Sequence, residues 1–168
     1  MAAHLEYSRP PAEPRGADTE LFEMYDEFYN GDRSRAESAL MSSEGFQNGE
    51  WDYVLLAARM SVEKHDIPAA MEYYKGVMKA LEFDVAVMCE IASFYLKEDP
   101  DPAAALSIYR TAEGIDPGNI GVVHGLVRTY SKMDRAADAV DVLKVFLKTE
   151  SADLDEYNYA AERMLELH

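Results

Sequence analysis

Apolar residues recur along this chain at spacings of three and four, the period of a helix with one buried face. The clearest segment is 101–119, where Ala105, Tyr109 and Ala112 share one stripe. A small residue, an aromatic four places on and a second small residue make a narrow face that a neighbouring helix can approach closely. Asp101 suits an N-cap, Pro102 suits the first turn, and Asp116-Pro117-Gly118 cannot continue the helix. The same signals predict helices over 18–30, 50–64, 68–81, 85–97, 120–132 and 135–148 and one from Asp32 through Ala36, Ala39 and Leu40, with 45–49 as a loop. The first carries Leu21, Phe22, Tyr25, Phe28 and Tyr29 on a wide apolar face. A ninth helix is predicted from Asp153, where Glu156 three residues on completes a capping box.

The small-then-large pair recurs as Ala36/Leu40, Ala70/Tyr74, Ala105/Tyr109 and Ala139/Leu143, at steps of 34, 35 and 34 residues. An aspartate stands four places before the small residue as Asp32, Asp66 and Asp101, with Asp134 one place further out in the last copy. On the preceding helices Ile91/Tyr95 and Leu126/Tyr130 repeat at 35.

A helix-turn-helix period near 34 resembles the tetratricopeptide repeat. Met88, Ile91, Ala92, Tyr95, Ala105, Tyr109, Ala112 and Pro117 match its consensus positions, with one extra residue in the turn near Pro100. Val123, Leu126, Val127, Tyr130, Ala139, Leu143 and Phe146 match in the next copy, where Ser151 replaces the closing proline; Glu82 replaces it in the copy before. The likeness weakens toward the N-terminus. It implies an all-α, right-handed α-solenoid of four antiparallel helix pairs, over 18–49, 50–83, 84–118 and 119–152, closed by a capping helix over 153–168. Residues 1–17, with Pro10, Pro11 and Pro14, read as a mobile tail, and 18–168 as one repeat domain.

Acidic residues outnumber basic ones 32 to 16, a formal net charge of −16 among 168 residues. Such a surface repels nucleic acid and anionic membrane, whose phosphates require lysine and arginine. It suits a solvated exterior, and it also steers a basic partner segment. No apolar run reaches the roughly eighteen residues that span a bilayer, and the N-terminal stretch lacks the pattern of a secretory signal. With Cys89 as the sole cysteine, a reducing, cytoplasmic setting is expected.

No phosphate-binding glycine loop, HExxH, GxSxG or CxxC is present. His4, His65, His124 and His168 are scattered, and Cys89 lies mid-helix without an adjacent base, which predicts a buried, inert thiol. The expectation is a protein without catalytic residues, metal or cofactor. What the resemblance implies is a concave groove lined by the first helix of each pair. Carried over, this places Leu21 and Tyr25 in the first copy, Leu55, Arg59 and Val62 in the second, and Cys89, Ser93 and Leu96 in the third. The fourth gives Gly121, His124, Arg128 and Ser131, and the closing helix Asp155, Asn158, Glu162 and Leu165.

Arg59 and Arg128 are the groove's two guanidiniums, each a five-donor fork for carboxylates or carbonyls unless an acidic neighbour on the adjacent repeat takes it. Charge reversal at either is expected to weaken binding and leave folding intact. The lysine and asparagine set with which the family grips terminal carboxylates is absent, its places holding Leu55, Arg59, Cys89 and Ser93. The implied function is a protein-interaction module taking a peptide or helix, a basic one favoured. The alternatives are a chaperone of secretion-system translocator subunits, which the size, acidity and repeat type resemble, and a homo-oligomeric scaffold docking through the Phe22/Tyr25/Phe28/Tyr29 face.

Overall fold

The computed structural model describes residues 18–80, 84–98 and 100–148, together with Tyr159, Glu162, Arg163 and Glu166. The expected tail 1–17 and most of the capping helix, including Asp155, Asn158 and Leu165, lie outside the described residues. Two compact units divide the chain at 81/82, beside the junction of the second and third predicted repeats.

In the first unit, Asp18 accepts from the amides of Glu20 and Leu21 at 3.1 Å each and so starts α1 (Thr19–Asn30). Its second oxygen accepts from the Tyr53 hydroxyl at 2.7 Å, so one carboxylate both caps α1 and ties it to α4 (Trp51–Glu63). The Tyr53 hydrogen bond, then the amides, hold the Asp18 carboxyl below its ordinary value. Burial, and then that carboxylate, push the Tyr53 phenol up.

Asp32 caps α2 (Arg33–Ser42) through the amides of Ser34 and Arg35. The stretch expected to be a loop forms a short helix, α3 (Glu44–Asn48), capped by Ser43 and stopped by Gly49 at φ 73°. Gly45 lies so close beneath the Tyr53 ring that a Cβ there would stand 2.4 Å from it, and this lets α3 reach α4. His65 turns the chain at φ 59° and Asp66 caps α5 (Ile67–Ala80). α4 packs on α5 and against both α1 and α2, around Leu21, Phe28, Leu40, Tyr53, Leu56 and Met60.

The second unit repeats this plan with α6 (Val85–Lys97), α7 (Pro102–Ile115), α8 (Ile120–Lys132) and α9 (Ala136–Phe146). Asp84, Asp101 and Asn119 each cap their helix by accepting from two amides. α8 packs on α9 and against both α6 and α7. Gly125 makes the α7–α8 approach possible, since a Cβ there would lie 2.1 Å from the Tyr109 ring.

At α9 the expected aspartate cap is displaced. Asp134 takes a left-handed φ of 55°, and Arg135 stands at the N-cap without a side-chain cap bond. Its Nε donates to Asp138 at 2.8 Å, and its guanidinium lies 4.8 Å from the Tyr130 ring centroid. Arg110 donates to the Tyr130 hydroxyl at 2.7 Å from α7. Each second helix thus begins three places before a fully buried alanine, Ala36, Ala70, Ala105 or Ala139. In each unit the first helix of the later pair packs on both helices of the earlier one, the all-α, paired-helix repeat that the sequence predicts.

Candidate functional site

The spacing of buried residues fixes which positions of each first helix face outward. Met88, Ile91, Ala92 and Tyr95 in α6, and Val123, Leu126, Val127 and Tyr130 in α8, follow a three-one-three spacing. Leu21, Met24, Tyr25 and Phe28 follow the same spacing in α1 and are all buried. The residues one place after these, where α6 has Cys89, Ser93 and Leu96, are Phe22, Asp26 and Tyr29 in α1. Phe22 and Tyr29 are 57% and 42% exposed.

Several expected groove residues are therefore core residues. Leu21, Tyr25, Leu55 and Leu96 are buried, and so is Arg59 at 6% exposure. Arg59 donates from Nη1 to the Tyr25 hydroxyl at 2.8 Å, with its guanidinium carbon 5.5 Å from that ring's centroid. An aromatic hydroxyl on α1 is thus one partner of Arg59, and the expectation of harmless charge reversal there does not fit a guanidinium in the core. Val62 is half-buried.

The second unit gathers the remaining residues. Cys89, Ser93, Gly121, His124 and Ser131 are half-buried, and Arg128 and Glu162 are exposed. The Ser131 hydroxyl donates back to the Val127 carbonyl at 2.8 Å. Burial, and then the fields of Asp116 and Asp84, push the Cys89 thiol up to about 11, so it stays protonated and weakly nucleophilic at neutral pH. The Tyr109 hydroxyl donates to the Cys89 carbonyl at 3.4 Å.

His124 lies one helical turn before Arg128, and its ring meets the Tyr159 ring at a centroid distance of 3.8 Å. Burial, then the Arg128 and Arg163 charges, bring the imidazole down to about 4. It is neutral at pH 7, with one nitrogen a donor and the other an acceptor. His124 Nε2 and Arg163 Nε are both buried without a hydrogen-bond partner. Arg163 also pairs with Glu166. Arg128 has no hydrogen bond or ion pair among the described residues.

Sequence reasoning missed Tyr159 and Arg163, one place beyond the expected Asn158 and Glu162. The signal was their own spacing, an aromatic and a cation four apart on one helical face. Among the described residues no group of three or more His, Cys, Asp or Glu side chains could hold a metal ion. No helix among them is long and apolar enough to cross a membrane. A family model described as tetratricopeptide repeat matches residues 96–163. No curated protein matches the chain.

Proposed function

We propose, from a chain whose residues 96–163 match the tetratricopeptide repeat model, that this protein is a non-enzymatic interaction module whose second unit holds a peptide or helical segment of a partner. The repeat is generally an interaction fold. The observation that carries the reading is the outward face of α8, where Arg128 is exposed and has no hydrogen bond or ion pair among the described residues, with half-buried His124 and Ser131 on the same helix and half-buried Cys89 and Ser93 at the matching places of α6. An unpaired guanidinium among partly open polar side chains offers hydrogen bonds to a partner at no cost of breaking internal ones. The acidic surface around it, 32 acids against 16 bases, speeds the approach of segments that are basic overall and rejects polyanions.

The test is affinity capture from host lysate, identification of the recurrent partner, and titration of that partner against variants. Arg128→Glu is expected to weaken binding at least about tenfold, the scale of one lost charge-assisted contact. Lys144→Glu, exposed on α9, is expected to leave it unchanged. Equal affinities for wild type and Arg128→Glu would overturn the reading.

A second reading is favoured by Phe22 and Tyr29, which leave an aromatic stripe on α1 open to water. It is a hold on an apolar client segment, as in small acidic tetratricopeptide chaperones of secretion-system translocators. Self-docking through α1 is disfavoured, because the helix carries Glu20, Glu23, Asp26 and Glu27 with no basic residue, so two copies would oppose like charges.

A further inference from the structure

We infer that Arg128, Arg163, His124 and Tyr159 form an oxyanion subsite, which anchors one negatively charged side chain, a carboxylate or a phosphoryl group, of the bound segment. The inference rests on the interaction-module reading and names the chemistry of its anchor.

Three observations converge on the site. The first is hydrogen-bonding capacity left unused. Arg163 Nε and His124 Nε2 are buried without partners, and Arg128 has none among the described residues. Buried polar atoms are nearly always satisfied, and an unsatisfied set close together marks a place where a ligand completes it.

The second is charge. Arg128 and Arg163 act on the same imidazole and on the same Tyr159 phenol, and Arg128 acts on Tyr109 as well. Glu166 neutralises part of Arg163, and no acidic side chain pairs with Arg128 among the described residues. Two guanidiniums converging on one partly buried spot repel, and an anion between them relieves that repulsion. Among the described residues, Glu166 is thus the one carboxylate paired with either guanidinium.

The third is rigidity. The Tyr159 ring meets the His124 ring at a tilt of 42°, and Arg128 follows one turn later on α8, which is packed on α6, α7 and α9. The imidazole and the backbone that carries Arg128 are held in place before a ligand arrives, which lowers the ordering cost of binding. Because the imidazole is neutral at pH 7, it adds a directional hydrogen bond and the guanidiniums supply the charge.

The experiment uses the full chain and free anions first. The imidazole resonances of the four histidines are followed by two-dimensional proton–nitrogen NMR, His124 being assigned with a His124→Gln variant. Inorganic phosphate or acetate, at constant ionic strength set with chloride, is expected to shift the His124 signal saturably. A bound anion favours imidazolium, so the His124 pKa should rise by about one unit or more. In Arg128→Gln the apparent affinity for the anion should fall at least about tenfold. Absence of a saturable shift with either anion, or the same affinity in Arg128→Gln, overturns the subsite.

Once a partner segment is in hand, three peptides differing only in serine, glutamate or phosphoserine at one position identify the source of the oxyanion. Preference for glutamate or phosphoserine at least about tenfold over serine supports the anchor. Equal affinity for all three overturns the subsite and leaves the interaction module standing. Anion binding with no peptide or partner bound in any assay overturns the module and leaves the subsite standing.

Discussion

Arg59 and Arg128 stand at the same register position of α4 and α8, one place after the fully buried Ala58 and Val127, and they end in opposite states. Arg59 is sunk in the first unit, its Nη1 on the Tyr25 hydroxyl. Arg128 is exposed in the second and unpaired among the described residues. The difference lies in the helix before. Where α6 has Ala92, α1 has Tyr25, and a phenol at that place reaches the guanidinium of the next first helix while a methyl does not. A repeat position sets the direction in which a side chain points; the preceding repeat decides whether it becomes part of the fold or part of a surface.

Charge reversal breaks the comparison most sharply. Arg59→Glu puts a carboxylate in place of a buried cation and removes the Nη1 donor from the Tyr25 hydroxyl. Loss of one partner from such a buried pair costs about 3–5 kcal/mol. Arg128→Glu alters an exposed, unpaired side chain, and its effect on stability should stay within about 0.5 kcal/mol. Urea denaturation of both variants gives the two values side by side. Similar losses at the two sites would show that the difference in burial carries no energetic consequence.

Glycine gives a second contrast of opposite sign. Gly125 of α8 sits against the Tyr109 ring, and the 2.1 Å approach of an added Cβ forces the ring or the helix to move. Gly125→Ala should cost on the order of 1–3 kcal/mol despite alanine's better helix propensity. Gly76 of α5 is exposed, and a Cβ there meets only Val54 Cγ1 at an ordinary 3.7 Å. Gly76→Ala should stabilise by about 0.5–1 kcal/mol, because the unfolded chain loses freedom and the folded helix loses nothing. Thermal unfolding that moves both midpoints in the same direction would contradict the α7–α8 packing.

The parts of this fold that sequence made legible are those written in local chemistry. Buried alanines at a near-constant period, and capping aspartates four places before them, state a helix start and its tight face without reference to anything distant. The first helix pair was hidden by its turn. Gly31 and Asp32 alone join α1 to α2, one residue fewer than the Lys64-His65-Asp66 turn, so carrying the later register onto α1 shifts it by one. That shift placed Leu21 and Tyr25 in the groove in place of Phe22 and Asp26. The three-one-three spacing of Leu21, Met24, Tyr25 and Phe28 would have corrected it. α3 was illegible for another reason, since five residues beginning Glu44-Gly45 have weak helix propensity, and tertiary contacts, the Tyr53 ring above Gly45 and the Tyr73 ring against Phe46, hold them in place. The burial of Arg59 depended on a tyrosine 34 residues away, a pairing that no local pattern announces.

The smallest effect separates the units by pH. In the second unit the His124 imidazole titrates at about 4 in the folded chain against an ordinary 6.5. Above 6.5 neither state binds the proton, and below about 4 both do; between them the unfolded chain binds more, so stability falls as pH falls through that window. The ring is partly open to solvent, which screens the shift, and the loss is on the order of 1 kcal/mol. In the first unit Asp18 is held below its ordinary 3.8 by Tyr53, so its contribution is present above that pH and is lost only as pH falls below it. Acidification should therefore weaken the His124 region first and the Asp18 region second. Denaturation midpoints from pH 7 to 3 should show the step between 6.5 and 4 vanish in His124→Gln and persist in Asp18→Asn, with the step below 3.8 doing the reverse. A step between 6.5 and 4 that survives His124→Gln would assign it to groups other than this imidazole, and with it would go the picture of a neutral His124 held between two guanidiniums.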